Sequence, residues 1–115
     1  MSITQSIALY TKKVISVKNR TVRGMSSKLA IAVNRLRLAH ELRRRGVYVR
    51  MHAYEYLLGY KGRIAGVLLL EPTRNRASLY LVSGATQTDL EMIVEEALRQ
   101  IEPGVQLAVN TQSNS

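Results

Sequence analysis

The chain has no cysteine, no tryptophan and no phenylalanine, only two prolines, and a single aspartate, Asp89. Without cysteine there can be no disulfide, no thiolate metal ligand and no cysteine nucleophile. Without Trp or Phe the core has to be aliphatic. The 46% hydrophobic content, with six Tyr at the margins, is enough for one core in 115 residues, the usual size of a single domain. Metal-dependent nucleases need clustered carboxylates to hold Mg²⁺. Here Glu41, Glu55 and Glu71 stand apart, each near Arg residues, and read as surface ion-pair partners. Asp89 sits at a predicted helix start, where a structural role suffices. No Gly-rich phosphate loop with a following Lys-Ser/Thr is present, so nucleotide hydrolysis has no support. His40 and His52 could act as general bases, but neither lies in a motif, and a lone histidine is more often a surface or core-margin residue. The expectation is a chain that holds no metal or cofactor and is not catalytic itself. No apolar run approaches the roughly 18–20 residues of a membrane span. The N-terminus lacks the layout of a secretory signal, so a cytoplasmic location is expected.

What is there is charge, unevenly distributed. Residues 1–76 carry 16 basic and 3 acidic side chains, +13, whereas residues 77–115 carry 1 basic and 5 acidic, −4, which together make the net +9. A basic region of this density gains affinity for nucleic acid by releasing condensed counterions, whatever the sequence. The plainer reading is a solvated basic face. The tyrosines leave a similar choice open. Tyr48, Tyr54, Tyr56 and Tyr60 lie among Arg43 to Arg45, Arg50, Lys61 and Arg63. They either stack bases between phosphate-gripping cations or supply core area that Phe and Trp would otherwise provide.

The order of elements follows from periodicity and punctuation. Val14 to Val17 can form a strand within a basic N-terminal arm, residues 1–25. Ser26 or Ser27 can cap a helix running to about Arg45, ended by Gly46. Leu29, Ala32, Val33, Leu36 and Ala39 recur at helical spacing and give its expected core face. Val47, Val49 and Met51 alternate with polar residues as a half-buried strand does. Tyr54 to Gly62 reads as a loop or a short strand. Ile64 to Leu70 (IAGVLLL) reads as a central strand, and Ser78 to Val82 (SLYLV) as the next. Thr88 with Glu91 makes a capping box for a second helix, whose apolar face is Leu90, Val94, Ala97, Leu98 and Ile101. Pro103-Gly104 stops it before a last alternating strand, Val105 to Val109, and residues 110–115 form a polar tail expected to be disordered. The fold expected is a small single-domain α+β protein over residues 26–109, with a mixed sheet of about four or five strands and two flanking helices.

The run LRLAHELRRRG (Leu36 to Gly46), then VYVRMH, VLLLEP (Val67 to Pro72), RASLYLVSG (Arg76 to Gly84), TDLEMIVEEALRQ (Thr88 to Gln100) and PGVQLAV (Pro103 to Val109) resembles, in order and spacing, the C-terminal domain of the archaeal tRNA-intron (splicing) endonucleases. The likeness covers roughly residues 30–109. That family cleaves without metal, using a Tyr, a His and a Lys. Those positions fall here on about Leu70, on about Arg76, and within Pro103 to Gln106. No Tyr lies between Lys61 and Ser78, no His follows His52, and no Lys follows Lys61.

The resemblance therefore implies a non-catalytic structural subunit of a heteromeric, crenarchaeal-type enzyme. Two such subunits would join two catalytic ones to cleave precursor tRNA at bulge–helix–bulge junctions. It implies that the last strand pairs subunits through Val105, Leu107 and Val109, and that the loop from Ser83 to Asp89 enters a partner's basic pocket, with Asp89 its one charge. Arg43, Arg44, Arg45, Arg50, Arg74 and Arg76 would hold RNA. The alternative is a stand-alone basic nucleic-acid-binding protein, associated with chromatin or the ribosome.

Overall fold

A computed structural model of the chain describes residues 10–15, 27–82 and 87–112. The elements are β1 (Tyr10–Ile15), α1 (Ala32–Arg44), β2 (Tyr48–His52), β3 (Glu55–Tyr60), β4 (Arg63–Glu71), β5 (Arg76–Leu81), α2 (Gln87–Ile101) and β6 (Gln106–Gln112), with short 3₁₀ turns at Lys28–Ala30 and Pro72–Arg74. The strands form one six-stranded mixed sheet in the order β1-β6-β5-β4-β3-β2. β2 to β5 make an antiparallel meander, β5 and β6 are parallel, and β1 pairs antiparallel with β6. The parallel pair is joined through α2, the crossover a parallel connection requires. This is an α+β domain, as its alternation of short strands and two amphipathic helices predicts.

Register assigns the two faces of the sheet. Val49 opposes Leu58, Tyr56 opposes Leu68, Leu68 opposes Leu79, and Leu79 opposes Val109. These residues share one face and belong to one buried cluster with Leu38, Ala39 and Leu42 of α1 and Leu90, Val94, Ala97, Leu98 and Ile101 of α2. Both helices thus cover the same face. The second face carries the row Arg50, Leu57, Val67, Tyr80 and Asn110, and beside it the row His52, Glu55, Leu69, Ser78 and Ala108. Among the described residues no helix packs on it.

Every expected apolar residue of α2 is in the core. Its first residue is Gln87, which puts Thr88 inside the first turn instead of ahead of it. For α1 the expected face needs correction. Leu29 and Ala39 are buried, but Ala32 is exposed, Val33 is 58% exposed and Leu36 59%; the core-facing residues are Leu38, Ala39 and Leu42. The cause is a break at Ile31, whose extended backbone separates the 3₁₀ turn from α1. Ser27 Oγ caps that turn by accepting from Leu29 N at 3.1 Å. Asn34 Nδ2 donates to Lys28 O, and the Arg35 guanidinium donates to Leu29 O and Ala30 O. Those carbonyls, which a continuous helix would use internally, are satisfied by side chains. Leu29 can then be buried without its helical phase carrying over to Val33 and Leu36.

Gly46 ends α1 as expected, at φ 89°. Gly46 N donates to Arg43 O and Val47 N to Leu42 O, the paired bonds of a Schellman ending. Within the expected N-terminal arm, Tyr10–Ile15 is a sheet strand; Ser16 and Val17 lie outside the described residues. β6 runs to Gln112, beyond the point where a polar tail was expected to begin. Tyr54 to Gly62 is resolved as the β2–β3 turn, β3 and the Lys61-Gly62 hairpin tip, with both tip residues at positive φ as a tight two-residue hairpin requires.

Candidate nucleic-acid interface

The arginines singled out by the sequence occupy three places. Arg43, Arg44 and Arg45 lie at the C-terminal end of α1, Arg50 on the second face at edge strand β2, and Arg74 and Arg76 around the β4–β5 turn. Those at the helix end are engaged within the chain. Arg43 Nη2 donates to the carbonyl of Val49 on β2 at 3.0 Å. Arg44 donates to Glu41 Oε2 at 2.8 Å, and the hydrogen bond from its guanidinium holds the Glu41 carboxyl below its ordinary range. Arg45, only 16% exposed, lies 3.6 Å from Glu41 and 4.0 Å from Glu96. It ties α1 to α2 more than it faces solvent.

Arg50, Arg74 and Arg76 differ. They make no ion pair with any described residue, and neither do Arg37 and Arg63. Most of the acids are already in use: Glu41 and Glu96 with Arg45, Asp89 with Lys61 at 3.6 Å, Glu95 with Arg99 at 2.7 Å, and Glu102, which accepts from Lys28 N. Of the glutamates expected as ion-pair partners, Glu41 has that role, Glu55 lies 4.0 Å from His52, and Glu71 has no ion pair among the described residues. Of these five cations, Arg50, Arg63, Arg74 and Arg76 lie on the sheet's second face or at its turns, and Arg37 lies on α1.

That face has a mixed chemistry. Leu57, Val67, Leu69 and Tyr80 are half-buried along its middle, with Arg50 exposed at one edge and Arg76 beside Glu71 at one end. Sheets that offer aromatic and apolar side chains among cations suit unpaired bases and their phosphates. The tyrosines divide between the two roles left open by the sequence. Tyr56 is fully buried, and its hydroxyl donates to Arg35 O at 2.8 Å. Burial pushes that phenol well above the ordinary tyrosine range. Tyr60 is partly buried against the core, while Tyr48 and Tyr54 are exposed. Arg35 lies 4.4 Å above the Tyr54 ring, which joins the β2–β3 turn to α1.

The expected subunit-interface residues are also placed. Val105, Leu107 and Val109 are fully buried in the core, and both edges of β6 are taken, by β5 and β1. Pairing with another subunit through β6 would require β1 to leave. Asp89 is exposed at the start of α2 and bonded to Lys61 of its own chain; residues 83–86 of the expected inserted loop lie outside the described residues. His40 and His52 are exposed, on α1 and at the end of β2. Among the described residues no three His, Asp or Glu side chains gather as a metal site. No helix among them is long and apolar enough to cross a membrane.

The sequence set Arg63 among the cations interleaved with tyrosines but not among the expected RNA contacts, and it gave no sign of Arg35 as a structural hub, which nothing local marks. No family model, characterised protein or solved structure matches the chain.

Proposed function

We propose that this protein is a non-catalytic RNA-binding protein that grips the sugar–phosphate backbone with the second face of its sheet and the adjoining β4–β5 turn. The observation that carries the reading is that Arg50, Arg74 and Arg76, which make no ion pair with any described residue, stand around a half-buried apolar and tyrosine-bearing face. A guanidinium not engaged by a carboxylate is available for bidentate contact with phosphate. The test is anisotropy of a labelled single-stranded RNA across a salt series. Each phosphate contact contributes roughly 0.7 to the log–log salt slope on a single strand, so the triple variant R50Q/R74Q/R76Q should flatten it by about 2. An unchanged slope, or no binding by the unaltered protein at low salt, overturns the reading.

A narrower form is that the protein works as the structural subunit of a tRNA-splicing endonuclease. One arrangement favours it. The three stretches that stand where that family carries its Tyr, His and Lys meet at one end of the sheet: Leu70 opposes Ala77, Glu71 opposes Arg76, and Arg76 opposes Gln106. With Leu70, Arg76 and Gln106 standing where that family has Tyr, His and Lys, this end of the sheet lacks the family's catalytic set and suits a subunit that holds RNA while a partner cuts. Light scattering and cleavage of a bulge–helix–bulge RNA, with this chain alone and mixed with a catalytic subunit, separate the two forms. A defined hetero-oligomer that cuts, with the single chain inactive, supports the subunit. A chain that never joins the catalytic subunit but binds RNA is a stand-alone binder.

A further inference from the structure

The second face ends in a concavity of about 440 Å³, between the start of β2 and the β3–β4 hairpin. Its walls are Tyr48, Tyr60 and Ile64, its rim Lys61 and Arg63, and part of its floor Gly59. A volume of this size falls within the roughly 300–1,000 Å³ of small-ligand sites. No carboxylate lines it, so its chemistry is apolar and aromatic with a cationic rim.

The geometry follows from a few residues. Tyr48 opposes Gly59 across the β2–β3 pair, and Gly59 opposes Ile64 across a bulge that admits Ala65 as an extra residue on β4. A Cβ at Gly59 would come within 3.2 Å of Tyr48 Cβ and 3.3 Å of its Cδ1, so the glycine leaves room for the Tyr48 side chain against the neighbouring strand. The ring's other side is open: Tyr48 is 61% exposed and Ile64 54%. Glycines at 46 and 62 keep the mouth free of side chains. Of the two rim cations, Lys61 is shared with Asp89 and lies 5.6 Å from the Tyr60 ring, while Arg63 makes no ion pair with a described residue.

We propose that this concavity is a single-nucleotide subsite, taking one unpaired base against the Tyr48 ring and its phosphate on Arg63, with Lys61 as second cation. The proposal rests on the RNA-binding reading and locates where a base, as distinct from the backbone, is held. A planar, anionic ligand matches each element: an exposed ring seeks a flat partner, Ile64 closes the apolar side, and a guanidinium at the rim takes the charge. The site is tolerant of base identity, because with Arg63 on the phosphate no other lining side chain offers a fixed pair of hydrogen-bond groups to a base edge.

The test uses the full chain with two readouts. In a ¹⁵N titration, adenosine monophosphate should shift the amides of Gly59, Gly62 and Ile64, and inorganic phosphate at the same concentration should not. In anisotropy with a decameric oligo(A), Y48A should weaken binding about 10-fold, within the range of one base–aromatic stack, and Y48F should keep the affinity. R63Q should weaken it less and lower the salt slope by about 0.7. Retained melting temperature shows that each variant is folded, and Y48F serves where Y48A is not. If oligo(A) binds with a steep salt slope but Y48A binds like the unaltered protein and the three amides stay still, the subsite is overturned while the wider reading stands. Equal shifts with phosphate alone also overturn it, since the site is then an anion site without base contact. No RNA binding at all removes the wider reading and the subsite with it.

Discussion

At the scale of single residues, the same chemical type serves opposite ends in this chain. Tyr56 is fully buried with its hydroxyl on Arg35 O, whereas Tyr48, eight residues earlier, is open to solvent above a glycine. Strand parity separates them, since Tyr48 and Tyr56 lie on opposite faces of the sheet. Replacing Tyr56 with Phe should cost about 1 kcal/mol at neutral pH, the net value of a hydrogen bond. The pH dependence has a definite sign. Burial raises the folded-state phenol above its ordinary 10.0, so its contribution is whole below that pH and is lost as pH rises beyond it. Urea unfolding of both proteins at neutral and strongly alkaline pH should show the gap narrowing in base. A gap independent of pH would mean that the phenol's burial is not felt as a pKa shift.

At the scale of elements, α1 shows how a clean periodicity can point the wrong way. Leu29, Ala32, Val33, Leu36 and Ala39 fit a helical stripe, yet the extended backbone at Ile31 puts Leu29 in a different element from the rest. The stripe that is buried runs through Leu38, Ala39 and Leu42, and it is masked in the sequence by Arg35 and Arg45, which flank it and are themselves partly buried. In a helix this rich in both Leu and Arg, two apolar arcs compete. Contact with α2 and the sheet chooses between them. Leu38→Ala should therefore cost about 2–5 kcal/mol, the range for a core leucine, and Leu36→Ala should stay within about 0.5 kcal/mol. Chemical denaturation of the two variants measures this, and equal losses would sink the assignment. α2 had less competition: polar residues, most of them acids, fill the other face apart from the exposed Met92, so periodicity alone placed all five core residues.

At the scale of the molecule, the charge division along the chain is only partly a division in space. Arg45 reaches Glu96 and Lys61 reaches Asp89, so α2 neutralises cations of the basic portion across the fold. What is left over is still a net +9 on a small domain. Self-repulsion of that size is screened once the Debye length falls to about 8 Å near physiological salt, from about 30 Å at 0.01 M. The melting temperature should thus rise from low salt to physiological salt while affinity for RNA falls over the same range. Scanning calorimetry and anisotropy in matched buffers test this together. A melting temperature that drops as salt is added would show that the ion pairs outweigh the repulsion.

The amino-acid sequence alone determined the α+β class, the strands that end at Glu71-Pro72 and begin after Pro103-Gly104, the Gly46 helix stop and the whole core face of α2. These are local matters of period, cap and turn, decided by residues close together in the chain. It also determined that positive charge exceeds negative. Only the tertiary structure decided which arginines are spent on Glu41, Glu96 and Val49, and which of the expected RNA contacts have no ion pair among the described residues. It alone put Val105, Leu107 and Val109 under the helices and closed the outer edge of β6 with β1, more than ninety residues before the end of that strand. Pairing between distant segments depends on register and competition among all possible partners, and no local pattern encodes that outcome.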